Sequence, residues 1–229
     1  MILGAALGVA AVGAAAHGAF HRNSPVFGLA LGHLPAPGRT VALTFDDGPN
    51  PEATPRILDA LAAANVKATF FILGRHAERW PRLVRRVHDE GHAVGNHGYY
   101  HRKLHFKSPR YVREDLTLGT QAIEAAGGGH PHLFRAPHGF RSPWVTTIAR
   151  SLGQRTIGWS LGVWDSARPG ADVIADRTIN GARPGSILLL HDGDGYDPAG
   201  DRLQTAEALP HILRTLTERG FHFATVPTA

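Results

Sequence analysis

Apolar, β-leaning runs at 40–46, 68–73, 92–96, 133–136, 154–161, 186–191 and 221–226 alternate with helical patterns near 53–65, 76–90, 109–126, 143–152, 171–181 and 203–219. No other feature limits the fold so sharply. Strand then helix, repeated, predicts a parallel sheet or barrel with crossover helices. The punctuation agrees. Gly91, Gly153 and Gly220 follow apolar-periodic segments as C-caps, and Pro81, Pro143 and Pro210 sit near helix starts or turns. The expected fold class is α/β with about seven parallel strands. A chain of 229 residues suits one domain with a sizeable core.

The N-terminus breaks the pattern. Residues 1–20, MILGAALGVAAVGAAAHGAF, contain no Asp, Glu, Lys or Arg. About 20 apolar residues are enough to cross a bilayer, although Gly and Ala make this stretch only modestly hydrophobic. It has no basic n-region, while Ala14-Ala15-Ala16 satisfies the small-residue cleavage rule. An anchor, a signal and a tail are the three readings. The expectation is a membrane-anchored or exported protein with its domain at the cell envelope. Residues 21–38, with Pro25, Pro35, Pro37 and Gly38, read as a linker, and 39–229 as the domain.

Composition excludes some chemistry. With no cysteine, the chain has no disulfide, thiolate metal site or cysteine nucleophile. A net charge of +5 admits nucleic acid as a partner. However, the Lys and Arg are scattered, and clusters such as RWPRLVRR sit at helical spacing like a solvated face. No zinc-finger, RNP or helix-turn-helix signature is present, so no nucleic acid is expected.

In βα folds functional residues gather at the C-terminal ends of strands. Asp46 and Asp47 close the first run, in VALTFDDGPN. Neighbours on a strand face opposite ways, so the chain must leave strand geometry for both to serve one site. Gly48-Pro49 ends the strand there. His97 and His101 follow the third run in GNHGYYH. On a helix this spacing puts both imidazoles on one face, as two ligands of one metal require. Among fifteen histidines such a pair also arises by chance. A carboxylate from another strand end is what would turn it into a metal site with open positions.

Arg135 opens FRAPHG after its Phe, at the fourth run. It is either a surface residue in a turn or a fixed fork that orients a carboxylate. Asp165 lies past the fifth run. Leu189 and His191 stand two apart in ILLLHD and so face one side, an acid/base group beside an apolar pocket or a core histidine. HDGDGYDPAGD lacks the closing Glu of a calcium loop and reads as an acidic surface loop.

Taken in order, TFDDGP, HGYYH, RAPHG, WSLGVWDS and LLLH resemble the motif series of the NodB-like polysaccharide deacetylases, over about residues 39–226. The resemblance implies a distorted, incomplete (β/α) barrel and a metal-dependent N-deacetylase of an N-acetylhexosamine polymer such as peptidoglycan or a chitin-like glycan. It implies Asp46 as general base, held by Arg135. Asp47, His97 and His101 would bind one divalent metal, Zn2+ first, with Co2+, Ni2+, Mn2+ or Fe2+ also suited. The backbone N–H of His138 would help hold the oxyanion, His191 tuned by Asp165 would be the general acid, and Leu189 would line the acyl pocket. Two positions depart from the family pattern. Gly98 replaces the usual Ser or Thr after the first His. Trp164, which would belong to the substrate pocket, precedes Asp165 where the family has a Trp after the Asp. A deformylase or amidase acting on a small or lipid-linked amide, and a non-catalytic carbohydrate-binding relative, are the competing functions.

Overall fold

Strand β1, Thr40–Asp46, is buried over most of its length and has a neighbour on each side. The computed structural model describes residues 2–35 and 38–228. In it β1 lies between β2 (Thr69–Ile72) and β7 (Ile187–His191). The sheet continues past β2 through β3 (Ala93–Asn96), β4 (Leu133–Phe134) and β5 (Arg155–Thr156). Past β7 lies β6 (Leu161–Gly162). A further strand, β8 (His222–Phe223), pairs with the start of β1. Every strand pair is parallel, and β5 and β6 end the path unpaired with each other. The result is the incomplete barrel that the motif series implied.

Strands covered on both faces read as continuous apolar runs, and the period of two sorts them. Val41, Leu43 and Phe45 join the core beneath the helices, while Ala42 joins an inner cluster with Phe71, Leu133, Ile157 and Ile187. Thr44 and Asp46 share the face of Ala42 and therefore turn inward. On β7, Leu188 and Leu190 pack outward and Ile187 inward. His191 follows Ile187 inward and stands opposite Asp46 in register. The inner face is thus apolar at its base and polar at the C-terminal rim.

The helices are α1 (Ile2–Phe20), α2 (Ala53–Ala63), α3 (Gly74–Arg79), α4 (Pro81–Asp89), α5 (Pro109–Ala125), α6 (Val145–Ser151), α7 (Ala171–Gly181) and α8 (Leu203–Glu218). Three expectations need correction. The helix expected over 76–90 is two, because Trp80 leaves helical geometry and Pro81 starts α4, where its missing N–H is no loss. The strand expected over 154–161 is also two, β5 and β6, which makes eight strands among the described residues. Pro210 lies inside α8, whose buried face from Thr205 to Leu216 carries the helix across it.

The N-terminal segment behaves differently from a linker. Residues 21–35 form a strap across the open side of the barrel. Leu31 bridges to Ile157 just past β5, and His33 bridges to Ser186 just before β7. Leu34 N–H donates to Gly185 O at 2.8 Å. Covering open edges in this way satisfies backbone groups that would otherwise invite pairing with another chain. Buried Arg141 ties the strap from the other side, donating to Ser24 O at 2.6 Å and Gly28 O at 2.9 Å. Its own N–H donates to Ala19 O, in the last turn of α1, at 3.1 Å. The folded unit therefore begins before residue 39. Pro37, also read as linker, lies outside the described residues with Ala36. None of the described helices is long and apolar enough to cross a membrane.

Candidate active site

The rim gathers the expected polar groups from the ends of β1, β3, β4 and β7. Asp46 ends β1 facing inward, and Asp47 leaves the strand with φ 73°. An aspartate tolerates that left-handed conformation better than most residues. The turn out of the strand brings both neighbouring carboxylates, each buried, to one side. Asp47 Oδ1 lies 3.1 Å from His101 Nε2 and 3.3 Å from His97 Nε2.

The two histidines converge for a reason that helical spacing did not supply. Residues 97–101 form a bend rather than a helix. Gly98 at φ 78° and His101 at φ 57° fold it back on itself. A Cβ at residue 98 would collide with the Asp115 carboxylate. That carboxylate accepts from Tyr100 N–H at 3.0 Å, and Asn96 Oδ1 accepts from Gly98 N–H at 2.8 Å. Asn96 and Asp115 thus order a loop that carries Gly98 where the family pattern has a Ser or Thr.

Asp47, His97 and His101 suit a divalent cation. Their ligand atoms lie within 4.8 Å of one another, and Asp47 Oδ1 is buried with no hydrogen-bond donor. His97 Nδ1 lies 2.8 Å from Arg135 O; with its proton donated there, Nε2 presents a lone pair to the centre. Burial pushes the Asp47 carboxyl up, but the neighbouring His101 and His97 outweigh it and hold the group well below the usual range. One supporting residue was not foreseen. His76 on α3 is buried with Nδ1 2.8 Å from Asp47 O, and a lone histidine in LGRHAERW carries no sequence signal.

Asp46 stands beside this trio without joining it. Its Oδ2 lies 3.7 Å from His97 Nε2. Arg135 Nη1 donates to Asp46 Oδ1 at 2.7 Å and to Thr44 Oγ1 at 2.7 Å, and Nη2 donates to Gly158 O at 2.9 Å. The guanidinium is fully buried, 4.1 Å from the centre of the Phe71 ring. This is a fixed guanidinium that orients a carboxylate through one arm, and not a surface turn.

A His-Asp pair stands at the end of β7, the strand next to β1. Asp165 Oδ1 lies 2.9 Å from His191 Nδ1, and Oδ2 accepts from His191 N–H at 2.7 Å and Thr205 Oγ1 at 3.0 Å. Burial alone pushes the His191 imidazole down, but the Asp165 carboxylate, with Asp47 and Asp46 behind it, raises it to about 9. Asp192, placed by the sequence in an acidic surface loop, is instead buried and accepts from Thr54 Oγ1 at 2.6 Å. Burial and the charges of Asp47 and Asp46 raise its carboxyl to about 7.

Asp46, Asp47, His97, His101, Asp165 and His191 line one cavity of about 600 Å³. Leu189 is in its wall as expected, and so is His138, whose ring centre is 4.7 Å from that of His101. Burial, then the charges of His101 and His97, push the His138 imidazole down to about 4. Trp164 reaches the cavity only from its mouth, 74% exposed on a left-handed backbone. The indole deeper in the wall is Trp159, which flanks Gly162 together with Leu189. WSLGVWDS holds both tryptophans, and spacing from Asp165 drew attention to the outer one.

The comparisons with known proteins point the same way. Residues 33–157 match the polysaccharide deacetylase family. A chitooligosaccharide deacetylase of Bradyrhizobium sp. (strain ANU 289) is 38% identical over 198 residues, covering 82% of this chain and 90% of the relative. A peptidoglycan-N-acetylglucosamine deacetylase of Bacillus cereus is 37% identical over 198 residues, covering 84% and 89%. Among solved structures, a peptidoglycan N-acetylglucosamine deacetylase in complex with 4-naphthalen-1-yl-N-oxidanyl-benzamide superposes with a TM-score of 0.80 at 35% identity, covering 86% of this chain and 91% of that one.

Proposed function

The chain belongs to the polysaccharide deacetylase family, and from that premise we propose that it hydrolyses the N-acetyl groups of an N-acetylglucosamine polymer. One observation carries this reading. Adjacent carboxylates, Asp46 and Asp47, are split between an arginine-held base and a buried Asp-His-His trio, with a His-Asp pair lining the same cavity.

Asp47, His97 and His101 would hold a divalent cation, and one carboxylate with two imidazoles suits zinc. When bound, the cation supplies Lewis acidity to the amide carbonyl and to the attacking water. Asp46 takes a proton from that water as it attacks, and Arg135 keeps the base pointed inward. The N–H of His138 contributes a fixed donor to the developing oxyanion. Leu189 and Trp159 enclose the acyl methyl. His191, its Nδ1 held by Asp165, delivers a proton from Nε2 to the departing nitrogen. Water's oxygen ends in acetate, the C–N bond breaks, and the amino sugar leaves as a neutral amine before it protonates in solution.

The test is acetate release from N-acetylglucosamine oligomers by the full-length, zinc-loaded protein. A deletion of residues 1–38 is unsuitable because it removes the strap. Activity is expected to vanish with chelator and return with added zinc; undiminished activity in a verified metal-free sample would overturn the reading. For localisation, the uncharged residues 1–20 support export or retention at a membrane surface. Recovery of the full chain only in the cytosolic fraction would overturn that part.

A further inference from the structure

The strap brings to the cavity a charged group that the hydrolysis above does not use. Arg22 lines the cavity wall. Its Nε donates to Trp159 O at 2.8 Å and its Nη2 to Ser160 O at 3.4 Å. The Nη1 end has no acceptor, and no carboxylate pairs with the guanidinium, among the described residues.

Its position is fixed from several sides. Asn23 Nδ2 donates to the same Trp159 O at 2.9 Å. The guanidinium carbon sits 5.2 Å from the centre of the Trp159 ring. Arg141 anchors the backbone on either side, at Ala19 and Ser24. The centre of the Trp159 ring also lies 5.6 Å from the guanidinium carbon of Arg135, the residue that holds Asp46. Arg22 and the arginine that holds the general base thus share contact with one indole. Arg22 lines the same cavity as Asp46, Asp47 and His191, beside the groups assigned to the reaction.

A held cation without a counterion selects an anion, and the flat edge of a guanidinium matches the two oxygens of a carboxylate. The other arginine in this wall, Arg202, is already engaged, donating to Asp194 Oδ2 at 2.7 Å and Gly193 O at 2.8 Å. One free positive charge fits a monoanion better than a dianionic phosphate.

We propose that Arg22 is a specificity-determining residue that binds a carboxylate on a sugar next to the N-acetyl group being hydrolysed, so that the protein favours an acidic amino-sugar glycan over a neutral one. The proposal rests on the deacetylase reading above. It also gives the N-terminal strap a part in substrate choice.

The experiment compares zinc-loaded, full-length protein with Arg22→Gln and Arg22→Lys on two oligomers. One alternates N-acetylglucosamine with a carboxyl-bearing sugar, and the other is its methyl ester. For the native chain the ester is expected to show a KM about tenfold above that of the acid. In Arg22→Gln that ratio falls to about one, and Arg22→Lys, which keeps charge but not the fork, lies between. Equal KM values in the native chain overturn the proposal. So does a loss of kcat on both substrates alike in Arg22→Gln, which would mark the residue as a structural tie. If no acetate is released from either oligomer, the deacetylase reading fails. Calorimetric binding of acid and ester to the three proteins then decides Arg22 separately, with equal Kd values counting against it.

Discussion

Arg135 and Arg141 lie close in sequence and are both almost completely buried, yet they do unlike work. Arg135 holds a carboxylate, Asp46, directly from behind the wall of a cavity full of titratable groups. Arg141 faces the carbonyls of Ser24 and Gly28 and the hydroxyl of Thr146, with no carboxylate among the described residues. Removing a guanidinium from water costs several kcal/mol. At Arg135 the cost is offset by a charge that the cavity needs held. At Arg141 it is offset by fastening the strap that carries Arg22. A buried arginine marks a reaction centre only when the group it holds is itself positioned to react.

The largest effects are expected on the Arg135 side. Asp47→Ala removes the carboxylate between two imidazoles, so metal content after reconstitution and acetate release should both drop to background. Asp46→Asn should retain the metal and lose about 10²–10⁴-fold in kcat, the usual worth of a general base. Stoichiometric metal with full turnover in both variants would place the chemistry elsewhere.

On the other side Arg141→Met should act on stability. Each buried carbonyl left without a donor costs about 1–3 kcal/mol, so thermal or urea melts should show a loss of about 2–4 kcal/mol, while kcat of the folded fraction stays within about threefold. A drop in kcat like that of Asp46→Asn would erase the contrast between the two arginines.

The smallest effect is a displacement of the pH profile. Asp165 helps raise the His191 imidazole to about 9. A raised imidazole keeps its proton below that value and loses it as pH rises through it. The alkaline limb of kcat should therefore move to lower pH in Asp165→Asn, toward the ordinary 6.5. A limb at the same pH in both proteins would remove Asp165 from its positioning role.

Much of the centre was legible because its signals are local. TFDDGP ends a strand at the point where Asp47 must leave it, and ILLLHD sets Leu189 and His191 on one face by the period of two. His97 and His101 were also legible, but helical spacing was the wrong reason. A glycine at φ 78° and the side chains of Asn96 and Asp115 bring them together. Trp159 and His76 could not be singled out, since each matters only through what lies against it.

What the sequence by itself determined is the alternation of strand and helix, the inward and outward faces of the strands, and the strand ends where the acids and histidines stand. These follow from backbone periodicities that act over a few residues. The tertiary structure alone decided that residues 21–35 are a strap and not a linker. The hydrogen bonds that hold it join Ser24 to Arg141 and Arg22 to Trp159, groups 117 and 137 positions apart. No local pattern reports a contact of that range, because either partner, read alone, is an ordinary polar residue. Only when the barrel forms with one side open is there a gap for the strap to cover and a cavity wall for Arg22 to reach.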